Sequence, residues 1–107
     1  TIHQFCNIGD YSFIGMNTSI NMDIPAYVKV AADPARVIGL NSVGMGRNEI
    51  STDSISLIKK AYKLVYRKGL KIGEAIKKSK ALNEDVNDAY LNIFIDSLEA
   101  SERGILR

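Results

Sequence analysis

The 107-residue chain has one cysteine (Cys6), one histidine (His3), two prolines and no tryptophan. A lone cysteine excludes an internal disulfide. With no base beside it in a recognised motif, Cys6 reads as a small structural residue and not as a nucleophile. No apolar run reaches the 18 residues that a spanning helix needs, and no signal-peptide pattern opens the sequence. Both absences point to a soluble, cytoplasmic protein without membrane insertion. No metal-ligand spacing occurs, so neither a metal nor a cofactor is expected. The formal net charge of +2 is too small for a nucleic-acid footprint. The charge is unevenly placed. Residues 1–50 carry three basic and four acidic side chains, and residues 51–107 carry eleven and eight. Most of the second set falls on polar helix faces, which reads first as solvated surface.

What is present is a period. Ile2, Ile8, Ile14 and Ile20 recur every six residues, with small Cys6, Ser12 and Thr18 four places after the first three. A helix repeats near 3.6 and a strand at 2, so six fits neither. It fits a β-solenoid, in which each hexapeptide is a short strand plus a turn and three make one triangular coil. The isoleucines then point inward and stack, with Ile8 and Ile14 expected to be fully buried. Gly9, Gly15, Asp10 and Asn17 suit the turns, because Gly and Asn tolerate positive φ. Left-handedness is what the hexapeptide class implies and is not read from the spacing. Residues 1–32 hold only about one and a half coils. Solenoid units bury their faces only against neighbours, so Ile2, Ile8 and Ile14 would lie edge-on unless other coils or chains cover them.

Residues 33–50 break the period and read as a Gly-rich linker loop, with Asp33-Pro34 ending the last strand. From Ser51 the period becomes helical. Ile55, Ile58, Tyr62 and Val65 form one stripe, Ser51 or Thr52 is the cap, and Gly69 is the stop. A second helix is expected over about 72–82. A third, over about 84–101, would be capped by Asn83, present Val86, Tyr90, Ile93, Phe94 and Leu98 inward, and end at Gly104. The expected architecture is β-solenoid plus α. Coils occupy 1–32, the linker 33–50 and a three-helix C-terminal domain 51–107.

The segments "HQFCNIG" (3–9), "DIPAYV" (23–28), "GLN" followed by "GMGRNEIS" (39–51), "AYKLVYRKGL" (61–70) and "SERGILR" (101–107) together resemble the C-terminal portion of the acyl-[acyl-carrier-protein]–UDP-N-acetylglucosamine O-acyltransferase family. The resemblance implies a left-handed parallel β-helix assembled as a homotrimer, with sites in clefts between chains. It implies transfer of a 3-hydroxyacyl group from acyl carrier protein to UDP-N-acetylglucosamine, which begins lipid A synthesis. The family's general base is a histidine on an earlier coil, suited by a pKa near working pH. The context of His3 resembles a later position, so no residue here is assigned a catalytic role, and the chain alone is expected to be inactive.

The resemblance instead places His3 and Gln4 on the wall of the interchain cleft and puts Asn41 and Arg47 against the nucleotide. A guanidinium bonds phosphate bidentately, and an amide both donates and accepts. Val43 stands where the family usually has an acid, and Asn48 where it usually has a second basic residue, which implies weak and salt-sensitive binding. Arg47 lies shortly before the Ser51 cap, so a phosphate site shared with that helix start is expected. Exposed Lys59, Lys60, Lys63, Arg67, Lys68 and Lys71 suit an acidic carrier protein. The competing reading is a stand-alone, non-catalytic assembly or binding module derived from the same family.

Overall fold

A computed structural model describes residues 2, 6–16, 18–32, 34–101 and 104–107. The expectations for His3 and Gln4, for a turn at Asn17 and for a strand stop at Asp33 lie outside the described residues. The element order is β1 (Phe13–Ile14), β2 (Val28–Ala31), β3 (Arg36–Leu40), α1 (Ser42–Arg47), α2 (Thr52–Tyr66), α3 (Ile72–Leu82) and α4 (Ala89–Glu99).

The isoleucine repeat does stack strand on strand. Ile2 bridges Ile20 in parallel, eighteen residues or three hexapeptides later. The next two faces are shorter: Ile8 bridges Ile24, and β1 pairs with β2 through Phe13 with Lys29 and Ile14 with Val30, all sixteen apart. The second coil therefore loses two residues between Ile20 and Ile24, and the six-residue rule stops there. Burial differs between the coils. Ile20, Ile24 and Val30 are buried, whereas Ile8 is 38% exposed and Ile14 half-buried. The expectation of full burial at Ile8 and Ile14 is corrected, because among the described residues no coil lies beyond them.

The turns also differ from expectation. Gly9 and Gly15 are not in the left-handed region; Tyr11 (φ 60°) and Tyr27 (φ 66°) are, at equivalent corners of the two coils. Such a conformation costs a side-chain-bearing residue about 1–2 kcal/mol. The two rings offset part of that by stacking at 5.4 Å with planes 6° apart. Gly9 is required for a different reason: a Cβ there would fall 2.3 Å from the Ala26 nitrogen. The coils approach too closely for a side chain, with the Gly9 N–H bonded to the Ile24 carbonyl at 2.7 Å.

The stretch expected to be a linker is structured. β3 returns antiparallel to β2, with Ile38 as the extra residue of a bulge, and α1 follows at once. Among the described residues, 51–107 hold three helices, as expected, and α1 in the former linker is the additional one. α2 begins as expected, with the Ser51 hydroxyl accepting from the Ser54 N–H, and buries Ile58, Tyr62 and Val65. α4 starts five residues later than expected. Asn83 closes α3 instead, and its amide ties down the connecting loop through Asp88 and Asn92. Asp88 is the actual cap of α4 and accepts from the Tyr90 and Leu91 N–H groups. Val86 sits in the intervening turn, exposed rather than inward. α4 ends at Glu99, short of Gly104.

Helices and coil share one core, in which Ile24, Tyr27 and Val28 meet Met45, Ile58, Leu91, Phe94 and Leu98. Polar contacts cross the same boundary. The Ser97 hydroxyl accepts from the Ala26 N–H at 2.9 Å, and the Tyr27 hydroxyl donates to the Tyr90 carbonyl at 2.6 Å. The tail then returns to the coil. Ile105 bridges Asp23 in parallel, with the Asp23 N–H on the Gly104 carbonyl and the Leu106 N–H on the Asp23 carbonyl. The buried Asp23 carboxylate accepts from the Asn7 N–H at 2.8 Å and from the Ser101 hydroxyl at 2.6 Å. The Arg107 guanidinium donates to the carbonyls of Val65 and Leu70 beyond.

The burial contrast sets an order of stability losses. In urea denaturation of the 107-residue chain, Ile24→Ala is expected to cost about 2–5 kcal/mol, the usual range for core truncation. Ile8→Ala should cost about 1 kcal/mol or less, because its site is already open. Equal losses would show that the edge of the first coil is covered.

Candidate anion-binding cleft

Alternation along β2 turns Val28 and Val30 into the core and leaves Lys29 on the outer face. Beside it, Phe13 of β1, Leu40 at the end of β3, and Asn41, Ser42, Val43, Gly44 and Arg47 at the start and along α1 enclose a cleft of about 560 Å³. Two of the four expected site residues, Asn41 and Arg47, thus share one wall. Val43 lies beside them, exposed. Lys29 and Phe13 were not anticipated. The alternation of β2 turns Lys29 outward, but its meeting with α1 is fixed only by β3, which falls in the stretch expected to be a linker.

Asn41 is heavily engaged. Its Oδ1 accepts from the Gly44 N–H at 3.1 Å, which caps α1, and its Nδ2 donates to the Tyr11 carbonyl at 2.9 Å. Its backbone N–H donates to the Tyr27 carbonyl at 2.7 Å. One residue therefore fastens α1 to both stacked corners of the coil. Gly44 is needed for this, since a Cβ there would lie 2.2 Å from Nδ2 of Asn41. Asn48 is engaged as well, its amide donating to the Gly44 carbonyl at 2.7 Å at the end of α1.

Arg47 closes α1 as an exposed side chain. The expected sharing of a phosphate between Arg47 and the start of α2 is not supported. At that start the Ser54 hydroxyl donates to the Asp88 carboxylate at 2.5 Å. An acid already sits there, and a second anion would be repelled. Among the described residues the cleft itself is lined by two cations and no acid. The cleft between Asn7 and Ala100 holds Asp10 and Asp96, the wrong sign for phosphate. The apolar cleft under α3 holds Arg107, whose guanidinium already donates to two carbonyls.

Among the described residues no three His, Cys, Asp or Glu side chains could hold a metal ion. No described helix is long and apolar enough to cross a membrane. Burial pushes the phenols of Tyr27 and Tyr66 well above their ordinary pKa, so both stay hydrogen-bond donors, to the carbonyls of Tyr90 and Leu106. Cys6 is half-buried, and the only histidine of the sequence lies outside the described residues.

Residues 23–106 match the family model described as Udp N-acetylglucosamine O-acyltransferase, Domain 2. An acyl-[acyl-carrier-protein]–UDP-N-acetylglucosamine O-acyltransferase of Ectopseudomonas mendocina is 43% identical over 106 residues, 99% of this chain and 40% of that protein. Among solved structures, a UDP-N-acetylglucosamine O-acyltransferase from Moraxella catarrhalis superposes with a TM-score of 0.90 at 40% identity, over 99% of this chain and 40% of its own. A UDP-N-acetylglucosamine acyltransferase from Francisella novicida gives 0.90 at 34% identity, over 99% and 38%. The chain spans about two-fifths of the length of these relatives. The expectation of a C-terminal portion narrows to that share and to the second-domain match.

The geometry gives Asn41 a structural load that a pure ligand contact would not have. Asn41→Ala removes a helix cap and leaves the Tyr11 carbonyl without this donor, which together should lower stability by about 1–2 kcal/mol in urea denaturation. Asn41→Asp should restore only part of it, because a carboxylate still caps Gly44 but cannot donate to Tyr11. A loss below about 0.3 kcal/mol for Asn41→Ala would mean that the amide is free for a ligand.

Proposed function

The chain belongs to the UDP-N-acetylglucosamine O-acyltransferase family, and from that premise we propose that it works as the second-domain part of such an enzyme. The whole enzyme transfers a 3-hydroxyacyl group from acyl carrier protein to UDP-N-acetylglucosamine in the cytoplasm, the first step of lipid A synthesis. This part contributes nucleotide contacts and assembly surface, and the general base comes from elsewhere. The observation that carries the reading is the cleft holding Asn41 and Arg47, lined among the described residues by cations and by no acid. Arg47 binds phosphate through charge-assisted hydrogen bonds, Asn41 holds the α1 wall, and His3 and Gln4 of a neighbouring chain supply the opposite wall. The coil is one turn of a left-handed parallel β-helix. Lys59, Lys60, Lys63, Arg67, Lys68 and Lys71 are all exposed on or just beyond α2 and offer an acidic carrier protein a basic row.

The proposal includes the homotrimer that the family resemblance implies. Ile2, Ile8, Phe13 and Met16 are exposed large apolar side chains, surface that assembly with other chains would cover. Sedimentation equilibrium should give a trimer at micromolar concentration, and a stable folded monomer would contradict this.

The nucleotide role is tested by titrating UDP into that trimer. Arg47→Ala is expected to weaken binding by about 1.5–3 kcal/mol, the scale of a hydrogen bond to a charged group. The same preparation should show no acyl transfer on its own. If wild type and Arg47→Ala bind alike, the reading as a stand-alone assembly module replaces this one.

A further inference from the structure

We propose that Lys29 is a second anion-binding residue of the cleft and acts with Arg47 on the two phosphates of a nucleoside diphosphate. The proposal rests on the nucleotide reading above and adds a residue to it. Lys29 stands at the middle of the sheet face that forms the cleft floor. On one side its strand partner is Phe13, and the ammonium lies 5.8 Å from that ring's centre. On the other side its partner is Gly39, where even a Cβ would meet nothing within 4 Å. The stem therefore has support on one flank and the head has open space on the other.

Arg47 reaches the same cleft from α1. Among the described residues the ion pairs are Lys78 with Glu74 and Lys80 with Glu99, so neither Lys29 nor Arg47 has an acidic partner there. Two exposed cations facing a cleft whose described lining holds no acid repel each other mildly, and an anion carrying two charges relieves that. Among the described residues no other cationic side chain lines this wall, and the Asn48 amide is held by the Gly44 carbonyl. A linked pair of phosphates matches two cations approached from sheet and helix. A single carboxylate offers one charge and a shorter span to the same two cations.

The competing role for Lys29 is to cover the half-exposed Phe13 ring. Lys29→Met keeps the apolar stem over the ring and removes the charge, and Lys29→Arg keeps both. The assembled protein is titrated with UDP, uridine and inorganic pyrophosphate at low and high salt. Lys29→Met should weaken UDP and pyrophosphate about tenfold, flatten the salt dependence, and leave uridine binding and the melting temperature unchanged. Lys29→Arg should bind like wild type. If Lys29→Met binds UDP and pyrophosphate normally while Arg47→Ala does not, Lys29 is only a ring cover and the nucleotide reading stands. If pyrophosphate binding needs Lys29 but UDP never binds, the anion site holds and the nucleotide reading fails. If the wild-type protein binds neither UDP nor pyrophosphate, both are overturned.

Discussion

Asp23 is where the molecule is tied together. A buried carboxylate is tolerated only when its oxygens are hydrogen-bonded, and here they bond Asn7 from the first coil and Ser101 from just beyond α4. Its backbone does the same work in the perpendicular direction, pairing with Gly104 and Leu106 of the tail. Three pieces of chain meet at one residue: the two coils and the segment that leaves the last helix and returns as the tail. The helices have no comparable independent base. α3 is 11 residues long, has no side-chain cap, and holds its place by packing against α2 and α4.

The cleft depends on a second, smaller junction built the same way. Asn41 bonds one carbonyl from each coil corner and one N–H of α1, so the cleft wall moves only if the corners move. Those corners are themselves constrained, because Tyr11 and Tyr27 hold left-handed backbone and stack face to face. Arg47 and Lys29 then need little further positioning. One is carried by a helix fixed at its start, and the other by a central strand with pairing on both sides.

Much of this was legible in the residues, and the failures have physical reasons. The Ile2 to Ile20 spacing revealed a stacked coil, since inward aliphatic residues must repeat with the coil. It misled at Ile24, where the coil shortens by two residues and a fixed period has no way to register it. Gly9 was singled out correctly, but for positive φ rather than for the approach of Ala26, which only the fold brings near. The α2 stripe and its Ser51 cap were plain because both signals are local. Asn83 and Asp88 compete as caps five residues apart, and the choice is made by Ser54 of α2, which bonds Asp88 from across the bundle. β3 and α1 were hidden for a similar reason: three glycines over 39–46 look like a loop until a bulged strand and the Asn41 amide make use of them. Of the cleft, Asn41 and Arg47 were visible through the family resemblance. Lys29 was not, because it belongs to a different segment and arrives by strand pairing.

The pairing of Asp23 with Ile105 joins positions 82 residues apart. Closing so long a loop is entropically slow, and it is repaid only once the intervening helices have shortened the path between its ends. The edge of the second coil must therefore wait, uncovered, while the helices assemble. During that interval its free strand backbone and the buried-to-be Ile24 are open to pairing with another chain. The same edge that is sealed in the finished molecule is thus its most vulnerable surface during synthesis. Fast, local formation of α2 and α4 protects it by bringing the tail home sooner.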